Sequence, residues 1–87
     1  MSQPFKLLYA PEALEGISKL PPDLKKIAER VFLQIAQNPQ SGKKLAGSFK
    51  GIYSDRITRR YRILNLIKHS DKEVVILDVK HRKEVYE

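Results

Sequence analysis

The sequence predicts an α+β domain in two layers, a small antiparallel β-sheet packed against an N-terminal helical hairpin, in the order β-α-α-β-β-β. Three observations predict it. Residues 22–37 carry apolar side chains at i, i+3, i+4 and i+7, the period of a helix. Residues 52–80 hold three short runs rich in aliphatic and aromatic residues, separated by polar turns. At 87 residues, the chain suits one domain, 1–87, with a modest core.

The first run, FKLLY at 5–9, is apolar and partly alternating, and Pro11 follows, so it reads as a strand and a turn. From Pro11 onward, Ala13, Leu14, Ile17 and Leu20 recur at helical spacing and predict a short amphipathic helix. Pro21 and Pro22 end it. Pro22 also opens the next helix, because the first helical position has no use for an N–H. In that second helix, Leu24, Ile27, Ala28, Val31, Phe32, Ile35 and Ala36 form the apolar stripe, with Lys25, Lys26, Glu29, Arg30, Gln34 and Gln37 opposite. Asn38-Pro39 stops it.

The segment QSGKKLAGSFKG, 40–51, contains three of the four glycines and reads as a lysine-rich loop. Strands are expected over 52–57 (IYSDRI), 60–67 (RYRILNLI) and 73–80 (EVVILDVK). Thr58-Arg59 and the polar turn from His69 to Lys72 connect them, which makes antiparallel hairpins the economical pairing. No repeat, linker or low-complexity tract is legible.

Composition narrows the function classes. There is no cysteine, so neither a disulfide nor a cysteine-ligated metal supplements the core. The start, MSQPFKLLYA, lacks the pattern of a signal peptide, and the longest aliphatic run, VVIL, is far shorter than a membrane span. A soluble, cytoplasmic protein without membrane contact is expected. Charge is lopsided: residues 1–42 hold five basic and four acidic side chains, residues 43–87 twelve and six. That asymmetry points to a polyanionic partner, against the plainer alternative of a generally basic surface.

Three groups of side chains fit such a partner. Arg56, Arg59, Arg60 and Arg62 lie in or beside the central strands, and alternation places Arg60 and Arg62 on one face. Guanidinium groups bind phosphate oxygens bidentately; the competing reading pairs them with Asp55 or Asp78. Lys43, Lys44 and Lys50 lie on the glycine-containing loop, within reach of a nucleic-acid backbone. The ending, DVKHRKEVYE, sets His81, Arg82 and Tyr86 among cations, either as a solvated tail or as proton-transfer and phosphate groups. Nearby cations favour neutral imidazole and acidify a phenol. No phosphate-binding glycine motif, serine triad or metal-ligand spacing is present, so no cofactor and no metal are expected. Cationic phosphate ligands with a tunable proton carrier suit metal-independent RNA cleavage through the ribose 2′-OH.

The succession strand, helical hairpin, basic loop, SDRITRRYRILNLI and EVVILDVKHRKEVY resembles the RelE family of toxins, within the RelE/ParE superfamily. The resemblance spans nearly the whole chain and is most specific at YRI and HRKEVY. It implies the toxin of a type II toxin–antitoxin system, an endoribonuclease that cuts mRNA in the ribosomal A site and is neutralised by a cognate antitoxin. It implies phosphate-supporting roles for Arg62 and Arg56, a phosphate or proton-donor role for Arg82, and action on the 2′-OH or base stacking for Tyr86, with His81 matching members that read HR. The chain departs from the pattern at Ser54, where the best-studied members have lysine, and at Lys80, where glycine often precedes HR. The general base stays open between Tyr86 and His81. The superfamily's other branch poisons DNA gyrase, which makes gyrase inhibition the second reading and a non-catalytic RNA-binding domain the third.

Overall fold

A computed structural model describes residues 4–44 and 51–81. The elements run β1 (Lys6–Tyr9), α1 (Pro11–Ser18), α2 (Pro22–Gln37), a 3-10 turn (Pro39–Ser41), β2 (Lys43–Lys44), β3 (Ile52–Arg56), β4 (Tyr61–Lys68) and β5 (Glu73–His81). The two-layer α+β architecture is as the sequence predicts. The five-stranded sheet has order β1-β5-β4-β3-β2.

The sheet departs from a purely antiparallel one at its N-terminal edge. β1 pairs parallel to β5, from Lys6 opposite Glu73 to Tyr9 opposite Ile76, and the Ala10 N–H extends the ladder to the Ile76 carbonyl at 2.9 Å. The sheet is therefore mixed. Part of the expected loop 40–51 is likewise structured. Pro39–Ser41 makes a turn of 3-10 helix, and Lys43–Lys44 pairs antiparallel with β3. Gly51 enters β3 with φ of 79°, a left-handed conformation that costs glycine little.

The helices lie where the proline punctuation puts them, each with proline in its first turn. Their apolar stripes cover one sheet face. Ala13, Leu20, Ala28, Phe32 and Ile35 meet Ile57, Ile63, Val74, Ile76 and Val79, all buried. Full burial of side chains such as Ile63 or Ile76 stabilises by roughly 1.5–3 kcal/mol each. Two stripe residues, Leu14 and Ile27, are exposed. Gly16 lets α1 descend onto β5. A Cβ there would overlap the carbonyl oxygen of Val79 and stand 3.0 Å from its carbonyl carbon. No helix among the described residues is long and apolar enough to cross a membrane.

β5 contains the irregularity that matters most. β4 and β5 pair Leu64 with Asp78 but Asn65 with Ile76, so Leu77 is the extra residue of a bulge. A bulge shifts the alternation of everything beyond it. Ile76 faces the helices, and so does Val79, three residues on instead of two. Lys80 is thereby turned to the face away from the helices and His81 toward them.

Candidate nucleic-acid interface

The strand register assembles a row of cations on the sheet face opposite α1 and α2. Arg56 on β3 is directly opposite Arg62 on β4, and Arg62 is directly opposite Lys80 on β5. Directly opposite residues share a face with Cβ atoms about 4.5–5.5 Å apart. The next row on that face is Lys43, Ser54, Leu64 and Asp78. Lys43 thus stands beside Ser54 and returns a cation to the position where the resemblance expects one. Its neighbour Lys44 pairs with Tyr53 and belongs to the other face.

Like charges placed opposite one another across strands are destabilising. Such a row is tolerated where an anion completes it. Of the two acidic groups nearby, Asp55 lies on the other face and Asp78 shares the face of the row. Asp55 lies on the helix-side face and accepts a hydrogen bond from Asn65 Nδ2 at 2.8 Å. Burial raises its carboxyl above the usual range, an effect the Asn65 hydrogen bond partly offsets. Asp78 pairs with Lys80, 3.2 Å from its Nζ. Among the described residues, no group of three or more His, Cys, Asp or Glu is arranged to hold a metal ion.

The remaining predicted residues distribute as follows. Arg59 and Arg60 are exposed in the connection between β3 and β4, where the Arg60 N–H donates to Thr58 Oγ1 at 3.2 Å. Arg60 precedes β4, so strand alternation does not tie it to Arg62. His81 ends β5 on the helix side, its ring in edge contact with Tyr61 at 5.1 Å between centroids. The structure therefore brings together Arg56, Arg62 and Lys43, and sets His81 on the other side of the same strand end. Lys50, Arg82 and Tyr86 fall outside the described residues.

Sequence reasoning missed Lys80 as the third member of the row and Tyr61 as the partner of His81. Tyr61 shares parity with Ile63 in YRI, a signal that was available. Lys80 carried none, because its side is set by the bulge. Beside this strand end lies a cavity of about 370 Å³ between α1 and β5, with Glu12, Glu15, Tyr61 and His81 in its wall.

The chain matches the family model described as ParE toxin of type II toxin–antitoxin system, parDE, over residues 7–86. Among solved structures it is similar to a chain of the RelBE2 toxin–antitoxin complex from Mycobacterium tuberculosis, at 31% identity and TM-score 0.79, covering 94% of this chain and 95% of that one. It shares its fold with a chain of the intact RelBE toxin–antitoxin complex from E. coli, at 16% identity and TM-score 0.76, over 86% and 93% of the two chains. A chain of the YoeB–YefM complex from Staphylococcus aureus has 20% identity and TM-score 0.71, over 90% and 97%. No curated protein sequence matches.

Proposed function

The chain belongs to the ParE toxin family of type II toxin–antitoxin systems, and from that premise we propose that it acts as a RelE-like, ribosome-dependent endoribonuclease on mRNA in the cytoplasm. One observation carries the reading: the in-register row Arg56, Arg62 and Lys80, flanked by Lys43, on a sheet face that neither α1 nor α2 covers. Three adjacent cations on a rigid sheet are arranged for a phosphodiester, and rigid placement avoids reorganisation when charge develops on the phosphorus oxygens.

In the proposed reaction, the ribose 2′-oxygen bonds to phosphorus as the bond to the 5′-oxygen breaks. The products are a 2′,3′-cyclic phosphate and a 5′-hydroxyl. Arg56 and Arg62 hold the phosphate. Tyr86 or His81 takes the 2′-OH proton, and Arg82 binds the phosphate or protonates the leaving oxygen. Lys43, Lys44, Lys50, Arg59 and Arg60 contact the RNA backbone. No metal or cofactor enters the proposal. A cognate antitoxin with an acidic segment over the basic face keeps the protein inactive.

Mapping mRNA ends by primer extension in a translation extract tests this reading. Discrete cuts within codons are expected, and Tyr86→Phe or Arg82→Ala should slow them by about 10²–10⁴-fold, the usual contribution of a positioned acid or base. Stalled translation over intact mRNA would refute it. The ParE description of the matching family model supports a second reading, gyrase poisoning, for which blocked supercoiling with intact mRNA is the signature.

A further inference from the structure

We infer that Asp78 is a positioning residue that aims the Lys80 ammonium at the scissile phosphate, fixing the third cation of the row before RNA arrives. The inference rests on the RNA-cleavage reading and adds to it a residue that acts through another. Both side chains owe their side of the sheet to one irregularity. In unbroken alternation Asp78 and Lys80 would share the helix side with Ile76. The extra residue Leu77 turns both to the face of Arg56 and Arg62.

The two ends of the pair are unequal. The Asp78 side chain is 19% exposed and that of Lys80 46%. One carboxylate oxygen of Asp78, Oδ1, is buried and has no hydrogen-bond partner among the described residues, while Oδ2 stands 3.2 Å from Lys80 Nζ. The carboxylate is the fixed end and the lysine the arm it restrains. An ammonium has three N–H donors. One satisfies Oδ2, and two remain for a phosphate over Arg62, which is directly opposite Lys80. An unrestrained lysine keeps its rotamer freedom until substrate orders it. Holding it beforehand moves that ordering from the reaction to folding.

A plainer role for Asp78 is charge balance, an offset to repulsion within the row. The two roles separate in sign. A carboxylate beside a phosphate site lowers anion affinity, so its loss strengthens binding under either role. Only positioning makes the same loss slow the reaction. The pair Glu15–Lys19 supplies the comparison. Its atoms are 3.3 Å apart, its side chains are 68% and 74% exposed, and it lies on and just after α1, outside the row.

The test uses the full-length chain with two readouts: single-turnover cleavage of ribosome-bound mRNA, and anisotropy of an uncleavable 2′-O-methyl oligonucleotide. Asp78→Asn keeps the shape and removes the charge. Its affinity for the oligonucleotide should rise about 2- to 5-fold, the gain from removing one partly screened charge. Its cleavage rate should fall about 5- to 30-fold, the cost of ordering a free lysine side chain during the reaction. Glu15→Gln changes the net charge equally and should cleave at the parent's rate. In a Lys80→Ala background, Asp78→Asn should slow cleavage no further, because the two side chains act as a unit. Urea unfolding checks the fold of each variant. Should Asp78→Asn be too unstable to assay, side-chain nitrogen relaxation of the unaltered protein decides: Lys80 Nζ more restricted than that of the exposed Lys26 supports the proposal, and equal mobility overturns it. Parental cleavage with tighter binding in Asp78→Asn leaves only charge balance and overturns positioning while the nuclease stands. Equal slowing by Glu15→Gln, or by Asp78→Asn without Lys80, overturns it as well. If the parent cuts no RNA, the nuclease reading fails and this inference fails with it.

Discussion

Replacing Arg56 by threonine should make the protein more stable and a poorer RNA binder at once. Arg56 is exposed and directly opposite Arg62, with Lys80 one strand further on. Its removal relieves one like-charge cross-strand pair, worth ~0.2–1 kcal/mol, and installs a residue that strands favour. For a domain of this size, that corresponds to a rise of about 1–8 °C in Tm. The effect on RNA has the other sign. One phosphate contact to a single strand contributes ~0.7 to the slope of log affinity against log salt, so its loss lowers the slope by that much and weakens binding about fourfold at 0.15 M salt. Urea unfolding measures the first effect. Anisotropy of an uncleavable oligonucleotide, titrated from roughly 50 to 300 mM salt, measures the second. A destabilised variant with an unchanged salt slope would mean that Arg56 supports the sheet and not a phosphate, and the functional reading of the row would fail.

Two further outcomes follow from the packing. Gly16→Ala gains ~1 kcal/mol of helix propensity but forces a Cβ onto a strand carbonyl, which costs about 2–3 kcal/mol, the upper part of the overpacking range. A net loss of ~1–2 kcal/mol should appear in thermal unfolding; a rise in Tm would show that α1 shifts freely. Asp55 has a carboxyl raised by burial, so the native state holds its proton more tightly than the unfolded chain. Its contribution is fully present below the unfolded carboxyl range and is lost as pH rises through the raised value. Asp55→Asn should therefore gain stability relative to the parent as pH rises from about 4 to 7, a range set by the ordinary carboxylate pKa; a difference independent of pH would contradict that burial effect.

The elements legible in the sequence were those specified locally. The stripe of α2 and its proline boundaries lie within one run of residues, and the short turns after Ile57 and Lys68 dictate their own hairpins. What stayed hidden depends on residues far apart. Nothing in FKLLY announces a parallel partner at Glu73–Ile76. Two lysines in a glycine-containing segment read as loop, because only Tyr53 and Ser54 make them a strand. Leu14 and Ile27 fit the helical period yet stay exposed. The site shows the same division. Arg56 and Arg62 are visible as basic residues on adjacent strands, but their opposition is a matter of register. The bulge at Leu77 is invisible within the unbroken run VVILDV, and it alone decides that Lys80 joins the arginines while His81 meets Tyr61.

The parallel pairing of β1 with β5 also has a kinetic meaning. Its contacts join Lys6 to Glu73, so β1 has no ladder partner until β5 exists. Pairings of such high contact order form late, after the entropy of closing a long intervening segment has been overcome. β5 is moreover an interior strand, bonded on both sides, and it carries the third cation of the row. A nascent chain halted before β5 therefore has neither a complete sheet nor a complete charged surface. The row of cations is thus complete only once β5 has been made and has paired on both sides.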